Sequence, residues 1–175
     1  MKHVSGSIVA VALLVSCADR TPPTDLDGMY EVTERLEGSC DAELTPATIG
    51  ATGRFFRLEY TEGSSPVRRA QLEYFRCDTA DPDSCSPTSS QDLSFGPAGS
   101  TWSGSLATAS AGCVLRFRHR ELYESDEGVE IIQTTYGETD ESIPTEADGC
   151  EDLEALDRGR RMPCLSVVEI RAALL

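Results

Sequence analysis

The chain contains no asparagine, a single lysine at position 2, and two histidines. Without asparagine there is no N-glycosylation acceptor. The lone lysine, with arginine at every other basic position, reflects biased codon usage of the kind found in GC-rich bacterial genomes and says nothing of activity. Beyond the N-terminal segment only His119 remains, so a serine–histidine–acid site would have one possible base. No Gly-x-Ser-x-Gly elbow accompanies it, and the residue is expected to be a packed or rim histidine on a strand. Glycine-rich phosphate loops are missing. Cysteines in C-x-x-C spacing are missing too, which argues against zinc. No cofactor and no metal is expected, and the chain does not read as an enzyme. Basic residues are outnumbered two to one, 15 against 30, for a net charge of −15. Such a field repels nucleic acid, so no DNA or RNA partner is expected. Simple solubility accounts for the acidity. The longest apolar run, Ile8 to Val15, falls short of the roughly 20 residues that span a bilayer.

That run nevertheless carries the most information. Lys2 precedes it, and Leu14-Val15-Ser16-Cys17 follows, in the order of a secretory signal. An ordinary cleaved signal with an incidental cysteine has the same outline. The four residues ending in Cys17 resemble the lipobox of bacterial lipoproteins. The resemblance implies cleavage before Cys17 and lipid on its sulfur and new amino group. It divides the chain into a lipoprotein signal peptide at 1–16, a tether at 17–26 containing Pro22-Pro23, and a disulfide-bonded β domain at 27–175. In that family an aspartate after the lipidated cysteine retains the protein at the inner membrane. Ala18 holds that position here, so the expected location is the outer membrane of a Gram-negative bacterium. Loss of Lys2 makes the mature chain one unit more negative.

Six cysteines remain beyond Cys17, and an even number in an exported protein reads as three disulfides. Fifteen pairings are possible. Proximity in sequence favours Cys77–Cys85 and Cys150–Cys164, which leaves Cys40–Cys113.

Period-two alternation dominates the rest. Tyr30, Val32 and Leu36 share a face, as do Phe56, Leu58 and Tyr60, and Ala70, Leu72 and Tyr74. Trp102 to Leu106, Cys113 to Tyr123, Val129 to Tyr136 and Leu165 to Ala172 add further strands. Turn residues separate them at Glu62–Pro66, Asp81–Asp83, Gly96–Gly99 and Asp126–Gly128, the last reading as a hairpin. One helix is expected, capped by Asp148 with Glu151 in capping-box spacing, edged by Leu153 and Leu156 and ended at Gly159. The fold class is therefore mainly β: an antiparallel up-and-down barrel or sandwich with one short C-terminal helix. Gly28-Met29-Tyr30 at the start of a meander, followed by a helix and a last strand, resembles the lipocalin layout, with Tyr30 where lipocalins carry tryptophan.

Two constellations bear on binding. Asp78, Asp81 and Asp83 could hold calcium, but the EF-hand glycine and terminal glutamate are missing and a solvated acidic tip is the simpler reading. Arg116, Arg118 and Arg120 share one face of one strand. Leu115, Phe117 and Tyr123 on the other face read as core, which turns the arginines outward among the many carboxylates. Facing a barrel interior instead, they would grip an anionic ligand through guanidinium forks. The expected function is a lipid-anchored, non-enzymatic envelope protein whose β domain binds a small molecule or protein partner. A structural or assembly lipoprotein without a pocket is the alternative, and a hydrolase comes last. The Cys17→Ser variant should leave the membrane fraction in detergent-free buffer, as checked by sedimentation. Continued sedimentation with membranes contradicts the anchor.

Overall fold

The computed structural model describes residues 22–63, 70–86, 94–110, 113–139 and 152–175. Residues 1–21, with the signal, the lipobox and the first half of the tether, lie outside the described residues, as do Asp148, Cys150 and Glu151.

Alternation produces strands throughout: β1 (Gly28–Gly38), β2 (Thr45–Pro46), β3 (Phe55–Thr61), β4 (Gln71–Cys77), β5 (Cys85–Ser86), β6 (Ser94–Ala98), β7 (Thr101–Ser110), β8 (Val114–Ser125), β9 (Gly128–Thr139) and β10 (Cys164–Leu174). Apart from the two-residue strands β2 and β5, each pairs antiparallel with the next in sequence. β10 then pairs with β1, from Tyr30 opposite Leu174 to Gly38 opposite Val167. The result is a closed eight-stranded antiparallel barrel with no free edge along this path. Asp126 and Glu127 connect β8 to β9 in the expected hairpin. Gly96 to Ala98 belongs to β6, however, and Pro97 pairs with Trp102. That turn is shorter than its composition suggests.

One end of the barrel is packed shut. Tyr30, Phe56, Leu58, Leu72, Phe95, Trp102, Leu122, Val129 and Ile131 form its core. Tyr30 stacks on Phe56 with ring centroids 5.2 Å apart, and Phe56 on Tyr74 at 4.7 Å, an aromatic column running up the interior. The incoming chain plugs this end. The Trp102 indole donates to the Pro23 carbonyl at 2.8 Å, and the Tyr30 hydroxyl to the Leu26 carbonyl at 2.9 Å. Burial, helped by Asp27, Asp25 and Glu124, pushes the Tyr30 phenol up to about 12, so the donor proton stays in place.

A register shift between Val32 and Glu34 interrupts β1. It reverses the alternation beyond it. Arg35 therefore stands opposite the interior residue Ile170, and Leu36 stands opposite Glu169 on the outer face. Leu36 does not share the face of Tyr30 and Val32, because an extra residue separates them.

The helix α1 (Asp152–Arg158) packs outside the barrel against β7 and β8. Leu153 and Leu156 are exposed, and the residue it buries is Ala155, against Cys113, Leu115, Phe117 and Met162. Only a small side chain lets a seven-residue helix lie this close to the sheet. Gly159 ends it at a positive φ of 47° and sits over the Phe117 ring.

Cys77–Cys85 forms as expected. Cys40 pairs with Cys164, not Cys113, because the β1–β10 seam brings the end of β1 to the start of β10. Cys164 is consequently not the partner of Cys150. Cys113 is also disulfide-bonded. The two identified bridges span 124 and 8 residues. In the chain-entropy account the long link contributes about 5 kcal/mol and the short one about 2.5 kcal/mol. Urea unfolding of the paired serine variants should show the larger loss for Cys40/Cys164. Equal losses would contradict the seam as the closing constraint.

Candidate functional site

Above the packed core the barrel interior opens into a cavity of about 280 Å³. Its floor is apolar: Phe95, Ile131 and Ile170, continuous with the core. Its walls are cationic. Arg35 comes from β1, Arg76 from β4, and Arg118 and Arg120 from β8, with Tyr74 and Gln133 between them and Thr52 and Gly53 also in the lining. No carboxylate lines it among the described residues.

The position of the β8 arginines follows from pleating. Leu122 belongs to the interior core, so residues two, four and six before it face the same way. Those residues are Arg120, Arg118 and Arg116. The outward expectation is thus reversed. It failed because β8 is covered on both faces, the interior by core and the exterior by α1 and the turn after it. Leu115 and Phe117 are buried, but beneath the helix rather than inside the barrel. Arg116 has the inward parity yet does not line the cavity; its Nη1 donates to the Leu115 carbonyl at 3.0 Å.

The four cavity arginines differ in how far they are satisfied. Arg35 is ion-paired with Glu37, its Nε donating at 2.7 Å. Arg120 is buried and donates from Nε to the Gln133 Oε1 at 2.9 Å. Arg76 and Arg118 make no side-chain hydrogen bond or ion pair among the described residues, and the buried Nε of Arg118 has no acceptor there. Tyr74 registers the crowding. Burial raises its pKa, and the guanidiniums of Arg76, Arg120 and Arg35 pull it back. Two like charges about 8 Å apart repel by roughly 2 kcal/mol at an effective dielectric near 20, more than an ordinary surface ion pair returns. On the outer face the named arginines meet carboxylates, Arg54 with Glu31, Arg57 with Glu59, and Arg171 with Glu34, Glu130 and Glu169, although the buried Nε of Arg57, like that of Arg118, has no acceptor among the described residues.

Sequence reasoning found Arg118 and Arg120 and missed Arg35, Arg76, Tyr74 and Gln133. Arg76 was within reach, since it continues the face of Leu72 and Tyr74. Arg35 was not, because the bulge that turns it inward has no signature in the residues.

His119 lies on the outer face of β8. Its Nδ1 is 2.9 Å from the Ser105 Oγ and its Nε2 is 3.5 Å from the Glu121 carboxylate, with the Arg160 guanidinium also against Nε2. Serine, histidine and acid are therefore adjacent. The Arg160 guanidinium, a donor, and the Glu121 carboxylate, an acceptor, both meet Nε2, so the contacts assign the ring proton to neither nitrogen and give the Ser105 contact no fixed direction. Asp81 has a local role, accepting the Asp83 N–H at 2.9 Å to cap a 3₁₀ turn.

No protein-family model, no curated protein and no solved structure matches the chain.

Burial and Arg160 lower the His119 pKa below its ordinary 6.5, and Glu121 opposes them. The unfolded chain then binds the proton first as pH falls. Stability is fully present above about 6.5 and declines below it until the folded-state value is passed. Thermal melts between pH 7.5 and 5 should show this decline, and His119→Gln should reduce it. An unchanged slope in the variant would remove His119 as its cause.

Proposed function

We propose that this protein is a lipid-anchored envelope lipoprotein whose barrel binds a small anion. The single supporting observation is the cavity: four guanidiniums and, among the described residues, no carboxylate in the lining, inside a chain with a net charge of −15. Random placement of arginine among so many acidic residues gives paired surface charges, as on the outer face. Concentrating the cations in a concave interior with an apolar floor costs stability and is explained by a ligand that supplies the missing charge. At about 280 Å³ the volume lies just below the roughly 300–1,000 Å³ of ordinary small-molecule pockets, which suits a compact ligand.

The lipobox residues Leu14 to Cys17 support the anchor. The described chain enters at Pro22 beside the plugged end, where Pro23 meets Trp102. The lipocalin resemblance adds a barrel with an interior site to the same reading.

Isothermal titration of the acylated protein in non-ionic detergent tests the proposal, with benzoate as the simplest apolar-bodied anion. Arg118→Met should weaken benzoate binding about tenfold, the value of one charge-assisted pair. The same variant should be more stable than the parent in the absence of ligand, by about 1 kcal/mol, because it removes an unopposed charge. Lower ligand-free stability with unchanged binding would assign Arg118 a structural role and contradict the proposal.

A further inference from the structure

The arrangement of charge in the cavity specifies more than a preference for anions. Arg35 shares its charge with Glu37, and Arg120 donates to Gln133. Arg76 and Arg118 stand on strands separated around the barrel by β6 and β7, each without a side-chain partner among the described residues. One guanidinium fork saturates one carboxylate with two parallel N–H donors. A singly charged ligand would thus engage one wall and leave the other repelling as before. Below the arginines, Phe95 and Ile131 offer an apolar seat.

We infer that the cavity takes a compact organic anion bearing two or more negative charges at one end and a small apolar body at the other. Phosphomonoesters and small dicarboxylates share this chemistry. The body rests on Phe95 and Ile131, and the acidic oxygens are divided between Arg76 and Arg118, with Arg120 beneath them. The inference depends on the cavity being a binding site at all, and its test separates the two ideas.

The acylated protein in non-ionic detergent is titrated calorimetrically at pH 7.5 with phenyl phosphate, phthalate, benzoate and inorganic phosphate. Phenyl phosphate is mostly dianionic there, its second pKa being near 6. At least one of phenyl phosphate and phthalate should bind about tenfold or more tightly than benzoate, with a steeper dependence on salt. Whichever is favoured identifies the head group as phosphoryl or dicarboxylate. Inorganic phosphate should bind more weakly than phenyl phosphate, for want of the apolar body. Arg76→Gln and Arg118→Gln should each reduce dianion affinity more than benzoate affinity. Benzoate binding as tightly as both dianions, with the same salt dependence, overturns the charge requirement and leaves the anion-binding reading intact. Inorganic phosphate matching phenyl phosphate overturns the apolar body. Binding of none of the four overturns both ideas together.

Discussion

A strand in a closed sheet has one inside and one outside, and the side chain of Leu122 settles which is which for β8. With Leu122 in the barrel core, the pleat commits Arg120 and Arg118 to the interior. No local rearrangement can turn them out without slipping the whole strand by one residue against β7 and β9. That slip would expose Leu122 and drive Glu121 and Tyr123 into the core. The cationic cavity is therefore a consequence of register. Register in turn is locked by the closure of β10 on β1 and by the Cys40–Cys164 bridge beside that seam.

The strands themselves were legible because alternation survives in most of them. Phe56 with Leu58, Leu72 with Tyr74 and the Asp126–Glu127 hairpin lie where the residues place them. Three features were not legible, each for a physical reason. β8 carries apolar side chains on both faces, since α1 and the turn after it shield Leu115 and Phe117, so hydrophobicity alone could not say which face was inside. The bulge after Val32 shifts Arg35 and Leu36 between faces without leaving a compositional mark. The pairing of Cys40 with Cys164 depends on which strands close the barrel, a long-range fact that chain proximity cannot supply.

Charge is distributed with a division that the total of −15 conceals. On the outer face, arginines such as Arg54 and Arg171 meet carboxylates across short distances in solvent, where such pairs contribute little. Within the cavity, Arg76 and Arg118 face further arginines, a tyrosine and a glutamine, and no carboxylate lines it among the described residues. Burying the Nε of Arg118 without an acceptor among those residues costs stability. Functional sites are where local rules of stability are characteristically broken. The packed lower half, with its aromatic column of Tyr30, Phe56 and Tyr74, supplies the rigidity that holds the charged upper half open.

The central claim is that Arg118 and Arg120 point into an open interior. Anomalous diffraction from crystals of the protein soaked in sodium iodide tests it directly, because a heavy anion reports where unopposed guanidiniums lie. The account predicts an iodide peak inside the barrel, within contact of Arg118 and of Arg76 or Arg120. Guanidiniums found on the outer surface, or an interior filled by side chains with no anion density, would contradict it.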